Sequence, residues 1–186
     1  VRNGGLETRL FNYLHEFRRL GHEVTLVVSK IDSDVELHSE IKIEQVSLKR
    51  VPKPLRMYFF DRALAQIIPK GNFDLSFSLG RTSNQDMVLC PGNHLGYLKA
   101  MKKSFCSPID YLNIYLDRLA YRKSMVILAC SDMMKQELIE LYKVDAEKIK
   151  VLFPPIDSSK FNQSGKAKNA ELRTKYGFAQ NKKSLL

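Results

Sequence analysis

Residues 6–28 restrict the architecture of this chain more than any other stretch. Leu6, Leu10, Phe11, Leu14, Phe17 and Leu20 recur at spacings of three, four and one, which places them on one stripe of a helix. Gly21 follows the last of them and supplies a stop, because glycine enters the left-handed conformation of a helix C′ position without steric cost. His22 and Glu23 then lead into Val24-Thr25-Leu26-Val27-Val28, a short β-branched run of the kind buried in a parallel sheet. Helix, glycine turn and strand make the second half of a β-α-β unit. The strand that would open that unit is expected just before Val1.

The alternation continues. Strands are expected at residues 43–48, 74–79, 87–90, 125–130 and 150–153. Between them lie helical patterns at about 55–68, closed by Pro69 and Gly71, at 109–122, and from the N-cap Ser131 to near Tyr142. Pro154-Pro155 stops the last strand. This order predicts an α/β domain with a mostly parallel sheet flanked by helices, and there is no internal repeat. Beyond Asp157 the character changes: 158–169 is a polar, Lys-rich linker, 170–177 a short helix with a glycine cap, and 183–186 the start of a strand. The expected organisation is one domain over 1–157 lacking its first strand, then the linker, then the opening of a truncated second domain over 170–186.

The chain has 186 residues, of which 44% are hydrophobic, with 9 Gly and 7 Pro, so a real core is expected rather than disorder. Its formal net charge is +10 and is uneven. Residues 1–96 hold 13 basic and 11 acidic side chains, whereas 97–186 hold 17 and 9. Such asymmetry points to an anionic partner: nucleic acid, a phosphorylated substrate or a membrane surface. Cys90, Cys106 and Cys130 are odd in number, widely spaced and without a neighbouring His in ligand register. They are expected as reduced thiols in a cytoplasmic protein, Cys90 and Cys130 as small strand hydrophobes, with no metal site. No apolar run approaches the length of a spanning helix, and the opening Val-Arg-Asn-Gly-Gly is not a signal peptide. The chain does not begin with Met, so the natural N-terminus is expected to lie upstream.

Three segments carry candidate chemistry. Asn3-Gly4-Gly5-Leu6-Glu7 sets two glycines before a helix N-terminus, where free N–H groups and the helix dipole favour a phosphate; an ordinary turn has the same sequence. The segment fits neither the dinucleotide fingerprint nor the P-loop pattern. His94, in the expected loop 90–97 after a strand, stands where open α/β sheets form their ligand crevice. It can bond a sugar hydroxyl or assist a proton transfer there, or be a plain surface histidine. His15, His22 and His38 attract no role. Finally, Lys99, Lys102, Lys103, Arg118, Arg122 and Lys123 interleave with Tyr97, Phe105, Tyr111, Tyr115 and Tyr121, against only Asp110 and Asp117. That mixture suits a lipid headgroup layer, single-stranded nucleic acid, or a solvated helix face with Tyr packing inward.

Taken together, the pieces resemble the N-terminal domain of retaining glycosyltransferases of family four, a Rossmann-like half of the GT-B fold. The resemblance rests on GGLE, on LGHEVTLVV, on the run ACSDMMKQELIELY at 129–142, and on KIKVLFPPID at 148–157 followed by Phe161; ELRTKYGF looks like the opening of the family's C-terminal domain. Within the family, GGLE, the linker prolines and the basic, Tyr-rich segment look most like lipopolysaccharide core glucosyltransferases. The resemblance implies transfer of a hexose, with retention, from a nucleotide sugar such as a UDP-hexose to a glycan or glycolipid acceptor such as lipopolysaccharide core. It implies no cofactor beyond that substrate, and electrostatic stabilisation of the leaving diphosphate. Gly4 and Gly5 would face the diphosphate, His94 or Asn93 would stand in the acceptor pocket beside the transferred sugar, and Glu7 and Arg9 would touch the acceptor. Lys99, Lys102, Lys103, Tyr111, Tyr115, Arg118, Tyr121, Arg122 and Lys123 would sit on the anionic inner face of the cytoplasmic membrane. The family's paired-glutamate motif and donor-neutralising cations belong to the C-terminal domain, so the fragment alone is expected to be inactive. The alternative is a basic α/β nucleic-acid-binding module; the linker pattern argues against it, and no nucleic-acid partner is expected.

Overall fold

The computed structural model describes residues 4–31, 37, 39–103, 106–155 and 169–178. The chain divides into two compact units, 1–154 and 155–186.

In the first unit, α1 (Gly5–Arg19) ends as its sequence dictates. Gly21 takes φ +86°, its amide donates to Arg18 O at 2.9 Å, and the His22 amide donates to Phe17 O at 3.0 Å. Those two bonds make the Schellman motif and turn the chain into β1 (Thr25–Val28). β1 pairs in parallel with β2 (Lys42–Gln45), register Thr25 with Lys42 through Val28 with Gln45. After α2 (Arg56–Ile67), a second, four-stranded sheet follows. Its strands β3 (Phe77–Ser78), β4 (Met87–Cys90), β5 (Val126–Ala129) and β6 (Ile149–Val151) lie side by side in that order, all parallel. Crossover helices make two of these parallel connections: α3 (His94–Ala100) with α4 (Pro108–Lys123) between β4 and β5, and α5 (Asp132–Tyr142) between β5 and β6.

The core lies between this sheet and its helices: Val88, Cys90, Ile127, Ala129 and Ile149 from the strands meet Ala120, Tyr121, Met134 and Leu138. Each large member is worth about 1.5–3 kcal/mol relative to exposure. Caps set the helix starts. Ser107 and Asp110 form a reciprocal capping box with Pro108 in the first turn of α4, and the Ser131 hydroxyl accepts from the Met134 amide at 3.1 Å. Tyr13 of α1 packs edge-on against Phe77 of β3 at 5.6 Å.

Several expectations are corrected. The strand at 74–79 shortens to β3 because Ser76 is claimed by Asp86: its amide and hydroxyl donate to the Asp86 carboxylate at 2.8 and 2.6 Å. The strand at 43–48 shortens to β2. Cys130 lies just past β5, half-buried. The loop expected over 90–97 is instead the entry to α3, in which His94 is the first helical residue and Asn93 the cap. Phe105, His38, Asn3 and the strand expected at 183–186 lie outside the described residues, as does the expected linker 158–169 up to Asn169, where α6 begins.

In the second unit, α6 (Asn169–Lys175) closes at Gly177, φ +72°, with the Phe178 amide donating to Arg173 O at 2.8 Å. No helix among the described residues is long and apolar enough to cross a membrane.

Candidate active site

The helix α4 shows two stripes. Asp110, Ile114, Asp117 and Tyr121, spaced at four, three and four, turn inward and are buried, while Tyr111, Tyr115, Arg118 and Arg122 turn outward and are exposed. Two of the inward positions are carboxylates, and together they hold the residue that follows β4. The His94 amide donates to Asp117 Oδ2 at 2.8 Å, and the ring Nε2 lies 2.8 Å from Asp110 Oδ1. His94 is 8% exposed, and its ring lies 5.7 Å from that of Tyr97.

Each carboxylate is paired. Asp117 accepts from Arg81 Nε at 2.6 Å and from the Tyr142 hydroxyl at 2.9 Å, and the Tyr142 oxygen in turn accepts from the Leu95 amide at 3.0 Å. The loops after β3 and β4 and the end of α5 therefore meet on one buried anion. Asp110 Oδ2 accepts from Lys103 Nζ at 2.6 Å and from the Ser107 amide and hydroxyl, both at 2.7 Å. The Lys103 ammonium, then the two Ser107 donors and His94, hold the Asp110 carboxyl well below the usual carboxylate range; the same contact raises Lys103. Burial pushes the Tyr142 hydroxyl up, and the Asp117 charge adds to it. Cys90, 3.2 Å from the Tyr121 hydroxyl, is pushed up to about 12 by burial and is therefore an inert thiol.

The other predicted residues fall as follows. Asn93 spends its side chain on the fold: Oδ1 accepts from the Gly96 amide at 2.6 Å, while Nδ2 donates to Glu137 at 2.6 Å and meets the Met134 sulfur at 3.3 Å. Gly4 and Gly5 open α1, exposed, and a Cβ on Gly5 would meet nothing within 4 Å. Glu7 is exposed. Arg9 is half-buried, with its Nη1 enclosed and without a partner among the described residues. No hydrogen bond or ion pair among the described residues joins these four to the His94 cluster. Of the membrane-surface set, Lys99, Lys102, Tyr111, Tyr115, Arg118, Arg122 and Lys123 are exposed, and Lys103 is exposed but tied to Asp110. Tyr121 is a correction: it is 4% exposed and packs edge-on to Tyr142 at 5.0 Å, because it shares the inward stripe with Ile114 and Asp117. Between α4 and the α5–β6 connection lies a groove of about 480 Å³ lined by Tyr115, Arg118, Arg122, Lys143 and Lys148 among others. Asp110 and Asp117 themselves escaped the sequence reading as site residues; the available signal was two acidic residues at positions of α4 where the helical period calls for apolar ones.

Residues 3–160 match the family model described as Glycosyltransferase Family 4. A curated protein of Burkholderia thailandensis, named as a probable transglycosylase, is 28% identical over 158 residues, which is 85% of this chain and 43% of that one. Among solved structures, WaaG, described as a glycosyltransferase involved in lipopolysaccharide biosynthesis, superposes with TM-score 0.76 over 96% of this chain and 50% of its own at 15% identity. A glycosyltransferase from Rickettsia africae does so with TM-score 0.55 at 20% identity, over 97% of this chain and 48% of its own. The α/β fold, with parallel sheets flanked by helices, matches one half of these GT-B structures. The chain spans half or less of the length of each relative.

Proposed function

The chain belongs to glycosyltransferase family 4, and from that premise we propose that it forms the acceptor-binding half of a retaining hexosyltransferase. The donor is a nucleotide sugar, a UDP-hexose, and the acceptor a cell-envelope glycan or glycolipid of the lipopolysaccharide-core type. The observation that carries this reading is His94, set at the carboxyl end of β4 by two buried carboxylates of α4, where a parallel sheet opens its ligand crevice. A group held this way is preorganised to contact the transferred sugar. Asn93, whose polar atoms are all engaged, serves this role less well and supports the start of α3 instead.

The N-terminus of α1 offers unpaired N–H groups and the positive end of its dipole, and Gly5 leaves open space above them, so a diphosphate can approach the backbone. Charge that develops on the leaving diphosphate is stabilised there electrostatically. The Nη1 of Arg9, without a partner among the described residues, and Glu7 two residues before it are the acceptor contacts in this reading.

The outward stripe of α4, with Lys99, Lys102 and Lys123 and the basic groove beside Arg118 and Arg122, supports peripheral docking on an anionic cytoplasmic membrane face. The test is hexose transfer from UDP-hexoses to lipopolysaccharide-core acceptors by the full-length protein, with H94A alongside.

A further inference from the structure

We infer that Asp110 is a positioning residue that fixes His94 in its Nε2–H tautomer, so that Nδ1 faces the ligand as a hydrogen-bond acceptor and selects a sugar hydroxyl over a carboxylate at that point. This inference rests on the glycosyltransferase reading for the identity of the ligand, but its chemistry is set by the cluster itself.

Asp110 divides its two oxygens. Oδ2 receives Lys103 Nζ, the Ser107 amide and the Ser107 hydroxyl, while among the described residues Oδ1 receives only His94 Nε2, at 2.8 Å. A carboxylate surrounded by these donors is ionised and brings no proton of its own, so a contact of that length with the ring requires the proton on Nε2. The two carboxylates that hold His94 are each matched by a cation, and Glu137 of α5 is held by the Asn93 side chain. Lys103 answers Asp110, and Arg81 from the loop after β3 answers Asp117. Tyr142 of α5 donates to Asp117, and Tyr97 offers its ring. Neither carboxylate that holds His94 is left unmatched to call for an imidazolium. Neutral imidazole with hydrogen on Nε2 carries a lone pair on Nδ1.

That nitrogen has no partner among the described residues, and it is not among the polar atoms enclosed without one. The residue is also held at two points by one rigid element, its backbone amide on Asp117 and its ring Nε2 on Asp110, seven residues apart on α4. An acceptor presented in this way takes a hydroxyl as donor. A carboxylate or phosphate oxygen would set lone pair against lone pair, so the site favours a hexose over the corresponding hexuronate.

D110N separates positioning from bulk. Lys103 and the two Ser107 donors keep the amide oxygen on their side, which turns the Asn NH2 toward His94 Nε2 and requires a lone pair there; the proton moves to Nδ1. Exchanging the orienting aspartate of a Ser-His-Asp triad for asparagine gives the wrong tautomer for the same reason. The experiment is a long-range proton–nitrogen correlation spectrum of the 15N-labelled full chain at pH 7.5, wild type and D110N. The expected result is a protonated Nε2 and an unprotonated Nδ1 for His94 in the wild type, inverted in D110N. A wild-type His94 found as the Nδ1–H tautomer or as imidazolium would overturn the inference, and that spectrum decides alone if D110N does not fold. A folded D110N whose tautomer is unchanged would overturn it as well. Absence of hexose transfer by the full-length protein would defeat the glycosyltransferase reading without altering either spectrum, so the two fail separately.

Discussion

Arg81 and Asp117 stand 36 residues apart in sequence and meet at 2.6 Å, the carboxylate 1% exposed and the guanidinium 36%. Breaking a fully buried pair by removing one partner costs about 3–5 kcal/mol. The half-open guanidinium lets water answer part of the loss, and the Tyr142 and His94 donors remain on Asp117. R81A is therefore expected to lower unfolding stability by about 2 kcal/mol, read as a shift of the urea midpoint at unchanged slope. A neutral outcome would mean that the pair does not form in solution.

Asp110 supplies a pH signature with a definite sign. Its carboxyl titrates lower in the folded chain than in the unfolded one, where about 4 is usual. Between those values the unfolded state binds more protons, so the Asp110 contribution is complete above about pH 4 and is lost as pH falls through the lowered folded value. Lys103, raised by the same contact, contributes fully below about pH 10 and loses that contribution as pH climbs through its folded value. Urea midpoints followed from pH 2 to 5 are expected to rise less steeply in D110N than in the wild type; parallel curves would contradict the pairing.

The two stripes of α4 are expected to respond oppositely to truncation. Y121A empties a core position and is expected to cost about 3–5 kcal/mol, whereas Y111A and Y115A, on the exposed face, are expected to stay within about 0.5 kcal/mol of wild type. Neutralising Arg118, Arg122 and Lys123 together is expected to leave the melting curve in place and to weaken sedimentation with phosphatidylglycerol-containing vesicles about 100-fold, at about 1 kcal/mol for each cation. Binding unchanged in that triple variant would remove the membrane from the proposal.

Asn93 and His94 are adjacent in sequence and are expected to separate in effect. N93A removes the α3 cap and two further contacts, with an expected cost of about 1–2 kcal/mol in stability. G96A is expected to act on the same joint, since a Cβ there would run into the Glu137 carboxylate that Asn93 holds. Differential scanning calorimetry of the two variants checks both; melting temperatures equal to wild type would show that the cap is dispensable.

Much of the frame was legible because its signals are local. Gly21, Ser131 and the β-branched run after Glu23 each act within one turn of the chain, and the structure uses them as read. What escaped depends on partners distant in sequence. The helix α3 is two turns long with Gly96 inside it, a poor helix by propensity, and it stands because Asp117 accepts from its first amide and Glu137 holds its cap Asn93. Asp110 and Asp117 counted as surface charge until Lys103 and Arg81 were brought against them. Tyr121 belonged to a basic-aromatic segment by composition and to the core by helical phase.

Hexose transfer by the full-length protein carrying H94A tests the central claim most directly. In the proposed site, with the His94 ring held on Asp110 and its backbone amide on Asp117, kcat/KM is expected to fall about 100-fold or more in a variant that still folds. Turnover equal to wild type would return His94 to a purely structural part and contradict the proposed site.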